Sequence, residues 1–150
     1  MLTERFLNVN HFFQGVNNQF ATPQYDVVSF LKFLYERCEG GFINLRLLPS
    51  AKSLFVPLPE IDSIPAILKS HKKENVYFGA CTRKDGDGTK AGIVQIPFLW
   101  LDKDGGSLTE IMESPLPPSA VIETSSGRYQ AFWILKEPLD RHVSLKSRIS

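Results

Sequence analysis

One stretch constrains this chain more than any other. Ile93-Val94-Gln95-Ile96-Pro97-Phe98-Leu99-Trp100-Leu101 is a largely apolar run, and Asp102-Lys103-Asp104-Gly105-Gly106 follows at once. The run is far short of the roughly 20 residues of a membrane span. Its β-branched and aromatic side chains, closed by a Gly pair, predict a strand in the middle of a sheet. Asp102 and Asp104 are two apart, and alternate residues of a strand share a face, so both carboxylates point the same way. Two like charges side by side repel, and a divalent cation relieves the repulsion. That is the layout of a phosphoryl-transfer site using Mg²⁺ or Mn²⁺. The same residues also suit a plain polar turn, since Asp-Gly is a common turn dipeptide.

The elements around this run read as a mixture of helices and strands. Residues 1–22 are mixed, with Asn and aromatics, and suit a short helix or an arm. Val27, Leu31, Leu34 and Cys38 recur at helical spacing with Phe30 alongside, and Gly40-Gly41 closes that helix. Strands are predicted over 42–48, with Asn44 and Arg46 facing away from Ile43, Leu45 and Leu47, and over 53–58. A short helix follows over 62–73, whose basic end His71-Lys72-Lys73 suits the helix dipole. Residues 76–81 form another strand. Beyond the acidic pair come a short helix over 107–113, broken by Pro115, Pro117 and Pro118, and strands over 120–124 and 129–135. The last dozen residues are weakly patterned, and Asp140 reads as part of a loop.

Two further segments carry candidate chemistry. In Val121–Trp133, a strand-turn-strand presents Ser125, Ser126, Arg128 and Gln130. Small hydroxyl residues and a Gly let backbone N–H groups approach a phosphate, and Arg128 has the geometry to clamp one. A plain hairpin with a polar turn accounts for the same pattern. The loop from Arg83 to Lys90 holds Gly86, Gly88, Thr89 and the cations Arg83, Lys84 and Lys90, suited to a triphosphate or a template backbone. It lacks the Gly-Lys-Ser/Thr of a Walker A loop, and a solvated surface loop is its other reading.

Composition narrows the classes. Net charge is +1, so any basic nucleic-acid surface must be local. Cys38 and Cys81 form no CxxC pair, which excludes a zinc ribbon and leaves reduced, partly buried thiols. No basic n-region with an apolar run opens the chain, and no stretch is long enough to span a membrane, so the default expectation is a cytoplasmic protein without membrane partners.

Taken in order, the segments resemble the archaeo-eukaryotic primase superfamily, and within it the RepB-like primases of plasmids, phages and related mobile elements. The block Phe98–Gly105, the block Ser119–Leu135 and the preceding Val76–Lys90 carry the resemblance, over roughly residues 75–138. The first 74 residues fit loosely. The resemblance implies an α+β fold: an RRM-like primase palm, mostly antiparallel sheet with flanking helices, beside a small N-terminal α/β unit. It implies divisions at 1–74 and 75–150 of one domain. It implies a metal-dependent DNA primase or polymerase joining nucleoside triphosphates on a DNA template, with a replicative helicase as a further partner. By motif position, Asp102 and Asp104 take the Mg²⁺ or Mn²⁺ role. Ser126 and Gln130 take the places of the nucleotide-binding serine and histidine; Arg128, Arg83 and Lys90, read from their own segments rather than from the family's motif, are the further candidate nucleotide contacts.

Two departures follow. Gln130 donates a hydrogen bond but carries no charge where the family has histidine, a gap Arg128 can fill. The family's third acidic residue lies on a later strand, and after Glu137 only Asp140 carries a carboxylate. The expectation is therefore an incomplete domain with weak activity as this chain. The alternative is a non-catalytic RRM-like module that binds nucleic acid or nucleotide, stacking bases on Tyr129, Phe132 or Trp133. Aligned carboxylates argue against it, because they repel phosphates. A nicking initiator needs paired histidines, and His11, His71 and His142 are isolated.

Overall fold

A computed structural model of the chain describes residues 6–8, 27–105 and 107–140. The elements in order are β1 (Phe6–Asn8), α1 (Val27–Tyr35), β2 (Phe42–Leu48), β3 (Ser53–Pro57), a 3₁₀ turn (Leu58–Ser63), α2 (Ile64–Ser70) and β4 (Asn75–Arg83). Then follow a 3₁₀ turn (Lys90–Gly92), β5 (Ile93–Asp104), α3 (Leu108–Met112), β6 (Ala120–Ser125) and β7 (Arg128–Asp140). This is an α+β fold on an antiparallel sheet of order β3-β2-β4-β5-β7-β6, with β1 added to β4. Among the described residues no helix is long and apolar enough to cross a membrane.

The apolar run does form an inner strand, and its pairing is uneven. β5 meets β4 only at Thr82 and Arg83, through Gln95 and Ile93, and then pairs with β7 all the way to Asp104 opposite Arg128. β7 in turn pairs with β6. Since β5 and β6 both run antiparallel to β7, they are parallel to each other with β7 between, and α3 lies in their connection. That is a split βαβ unit.

Burial decides which face is which. α1 presents Val27, Phe30, Leu31, Leu34 and Tyr35 to the sheet. Phe30 meets Phe132 edge-on at 5.4 Å, Tyr35 meets Phe98 at 5.8 Å, and Phe98 meets Phe132 at 5.7 Å. The Tyr35 hydroxyl donates to the Gly79 carbonyl, which pairs the polar tip of that ring inside the aromatic layer. On the other face of β5 and β7, α3 buries Ile111, Lys103 pairs with Glu110, and the Trp133 indole donates to the Leu116 carbonyl at 2.8 Å.

Several sequence expectations change here. The helix that opens the fold stops at Tyr35, before Gly40-Gly41; Gly41 instead sits at φ 102, where a Cβ would meet the Thr82 Cβ at 2.8 Å. The face of β2 that carries Asn44, away from Ile43 and Leu45, is covered as well: Asn44 is buried, because the loop after β4 folds over it and brings Gly88 beside it. Of the first 22 residues, Phe6–Asn8 form a strand on β4, and the rest lie outside the described residues. Asp140 is not in a loop. It ends β7 opposite Gln95, and Leu139 lies opposite Ile96. Pro138 is tolerated because β6 reaches only as far as Phe132, which leaves this part of β7 an edge, and because a register shift after Ile134 sets Leu135–Pro138 against Pro97 alone.

Candidate functional site

The β5–β7–β6 ladder fixes which side chains share a face. Residues directly opposite in antiparallel strands point the same way, as do alternate residues within a strand. Asp102 lies opposite Gln130 and Asp104 opposite Arg128, while Ile122 lies opposite Gln130 and Ser125 opposite Arg128. Asp102, Asp104, Arg128, Gln130 and Ser125 therefore occupy one face. Further inward on that face come Trp100 and Phe132, then Phe98, all buried beneath α1. Asp102 and Asp104 are both exposed, so the aromatic layer ends where the acidic face begins.

The turn at this end is tied down. Ser126 and Gly127 form the two-residue link between β6 and β7, with Gly127 at φ 76, a backbone shape that Gly adopts without strain. The Gly105 N–H donates to the Gly127 carbonyl at 3.0 Å, holding the turn against the end of β5. Arg128 Nε stands 3.5 Å from Asp104 Oδ1. Ser126 is exposed in the turn, whereas Ser125, one residue earlier, is the hydroxyl the register puts on the acidic face.

Arg83 and Lys90 are not brought to this place. Both flank the start of β5 beside Ile93, and Asp102 is nine residues along the strand, roughly 30 Å away. Arg83 is only 3% exposed, and its guanidinium donates to the Thr89 carbonyl. Within the same loop Asp87 accepts from both the Thr89 N–H and hydroxyl; these bonds hold its carboxyl below the ordinary range. The cations read from sequence as a phosphate loop are here part of a loop folded on itself. The candidate third acids are also elsewhere. Glu123 lies opposite Tyr129, on the face of Lys103, and Asp140 lies opposite Gln95, seven residues of β5 from Asp102.

The donor set can be tested against a hard divalent cation. Among the described residues no group of three or more His, Cys, Asp or Glu is placed to hold a metal ion. Asp102 and Asp104 supply carboxylate oxygens on one face, and Gln130 an amide oxygen opposite. Mg²⁺ is commonly held by one or two carboxylates with water and substrate phosphates completing its octahedron, so this pair fits in kind and number. One rung inward on the same face, the indole N–H of Trp100 is 7% exposed as a residue and has no hydrogen-bond partner among the described residues. Sequence reading passed over Trp100, which period-two alternation back from Asp102 along the same strand reaches; Ser125 was read as a phosphate-facing hydroxyl of the turn, and the register sets it opposite Arg128.

Of the rings proposed for base stacking, Phe132 is buried in the core. Tyr129 and Trp133 lie half-buried on the opposite face, where Trp133 is bonded to Leu116. The cysteines sit away from the acidic face. Burial, with Cys81 nearby, raises Cys38 to about 12, and burial raises Cys81 as well, so both are poor nucleophiles. No protein-family model matches the chain, and no solved structure matches it.

Proposed function

We propose that this chain carries the acidic face of a metal-dependent DNA primase or polymerase-type nucleotidyltransferase, in a palm like that of the RepB-like primases of mobile elements. One observation carries the reading: Asp102 and Asp104 stand on the open end of an otherwise buried strand face, with Arg128 and Gln130 directly opposite them on β7. A structural turn has no need to line up two carboxylates with a guanidinium and an amide across a ladder. The split βαβ unit that holds them is consistent with the first three strands of an RRM-like palm.

In this reading Asp102 and Asp104 hold Mg²⁺ or Mn²⁺. When bound, the ion supplies charge neutralisation for a triphosphate and acidifies an attacking hydroxyl. Gln130 donates a hydrogen bond to a phosphate oxygen, and Arg128 adds the positive charge that Gln130 lacks. Ser125 and the Ser126-Gly127 backbone offer further donors at the same end. Trp100 and Phe132 form a rigid floor, so the ladder that spaces these groups does not shift when a ligand binds. Two carboxylates give weaker positioning than three, so primer synthesis by this chain is expected to be slow.

The test is calorimetric titration of dATP with Mn²⁺ into the wild type and into Asp102→Asn/Asp104→Asn. Mn²⁺-dependent heat in the wild type, lost in the double variant, is the expected outcome. Equal heats would remove the site.

A further inference from the structure

Among the described residues Arg128 is the cation that the ladder sets directly opposite the acidic pair, and its present partner is one of the two groups a metal would need. We propose that Arg128 and a divalent cation compete for the Asp104 carboxylate, and that the guanidinium displaced by the cation turns to a phosphate of the incoming ligand. This rests on the reading of Asp102 and Asp104 as the metal pair.

Four observations carry it. First, the pairing is built into the fold: Asp104 and Arg128 are directly opposite in the β5–β7 ladder, so their Cβ atoms are held within about 5.5 Å whatever the side chains do. Second, the contact is weak and easily broken. It runs through Nε alone at 3.5 Å, and the side chains are 65% and 76% exposed. Exposed pairs of this kind shift an equilibrium by no more than about fivefold. Third, Arg128 makes no other side-chain hydrogen bond or ion pair among the described residues, so nothing else holds the guanidinium once Asp104 is taken. Fourth, the neighbouring cation on β5 does not substitute for it, since Lys103 is on the other face and bound to Glu110.

The charges then dictate the order of events. Asp102, Asp104 and Arg128 together carry one net negative charge. A dication at Asp104 cannot share that carboxylate with a guanidinium at the same distance without like-charge repulsion. Displaced, Arg128 remains on the same face as Gln130 and meets a phosphate with the planar fork that suits it. Arg128 would thus hold the metal's affinity down until a phosphate ligand arrives to take the guanidinium, which couples the two binding events.

This makes an unusual demand on a single substitution, because Arg128→Gln must move two affinities in opposite directions. The probes are Mn²⁺ alone, followed by the electron paramagnetic resonance of the free ion, and Mn²⁺ with dATP or with a short oligothymidylate, followed by calorimetry. Arg128→Gln is expected to bind Mn²⁺ alone about two- to fivefold more tightly than the wild type. It is expected to bind dATP in the presence of Mn²⁺ at least about tenfold more weakly. Arg128→Lys keeps the charge and is expected to stay within about 1.5-fold of the wild type for Mn²⁺ alone. A loss confined to the oligothymidylate assigns the freed guanidinium to backbone phosphate rather than to a triphosphate. If Arg128→Gln leaves Mn²⁺ affinity unchanged or lowers it while Asp102→Asn/Asp104→Asn still abolishes Mn²⁺ binding, the competition is wrong and the metal pair stands. Mn²⁺ binding that survives in the Asp double variant overturns both.

Discussion

Replacing Phe132 with alanine probes the layer on which the acidic face rests. Phe132 is fully buried and contacts Phe30 of α1 at 5.4 Å and Phe98 of β5 at 5.7 Å. Truncating a buried Phe to Ala costs roughly 3–5 kcal/mol. Each edge-to-face pair contributes about 0.5–1.5 kcal/mol beyond area burial. With two such pairs lost, the upper end is expected, about 4–5 kcal/mol. Domains of this size have total stabilities of roughly 5–15 kcal/mol, so Phe132→Ala should be close to unfolded. Phe132→Leu keeps most of the volume and forfeits the ring geometry, for about 1–2 kcal/mol. The assay is urea unfolding followed by tryptophan fluorescence, for which Trp100, directly opposite Phe132, is a local reporter. Phe33→Ala, on the outer side of the same helix, is the control and should stay within about 0.5 kcal/mol. A cost below about 1 kcal/mol for Phe132→Ala, with an unchanged urea dependence, would mean that α1 is not seated on β7 and that the floor of the site is misassigned.

Other outcomes follow from the same structure. Arg83→Ala should destabilise the chain by about 2–3 kcal/mol by removing a buried charged donor from the Thr89 carbonyl. Neither it nor Lys90→Ala should change Mn²⁺ affinity, and a titration in which either does would reconnect that loop to the acidic face. The Cys38 thiol, raised from 9.0 to about 12, is neutral in the folded state where an unfolded thiol would ionise. Its stabilising contribution is complete below pH 9 and is lost as pH rises toward 12, so melting temperature should fall across that window. Cys81 and Tyr35 are raised by burial too, so Cys38→Ala should flatten only part of the slope. A melting temperature constant from pH 9 to 11 would contradict this burial.

Local patterns reached the parts of the fold that local patterns determine. The spacing of Val27, Phe30, Leu31 and Leu34 gives the buried face of α1 directly, and the two-residue spacing of Asp102 and Asp104 gives a shared face once the strand runs through both. The extent of strands was less legible, because a partner strand decides it. β5 continues past Leu101 because β7 pairs with it as far as Arg128, and β7 continues past Pro138 because that stretch is an edge. Arg83 was misread for the same kind of reason. A cation beside Gly-rich sequence looks solvated until a long-range packing partner appears, and here the loop after β4 closes over it. β1 offered no periodic signal, since its three residues are held by the edge of β4 rather than by any pattern of their own.

The most direct measurement of the central claim is the position of the metal itself. Crystals of the chain grown with Mn²⁺ and a non-hydrolysable deoxynucleoside triphosphate, with diffraction data collected to record the anomalous signal of Mn²⁺, would locate the ion without reference to activity. The expected result is an anomalous peak within coordination distance of both Asp102 and Asp104, with the triphosphate beside Gln130 and the Arg128 guanidinium turned away from Asp104. A peak at other residues, or a triphosphate bound at the Arg83–Lys90 loop with nothing at the Asp pair, would contradict it.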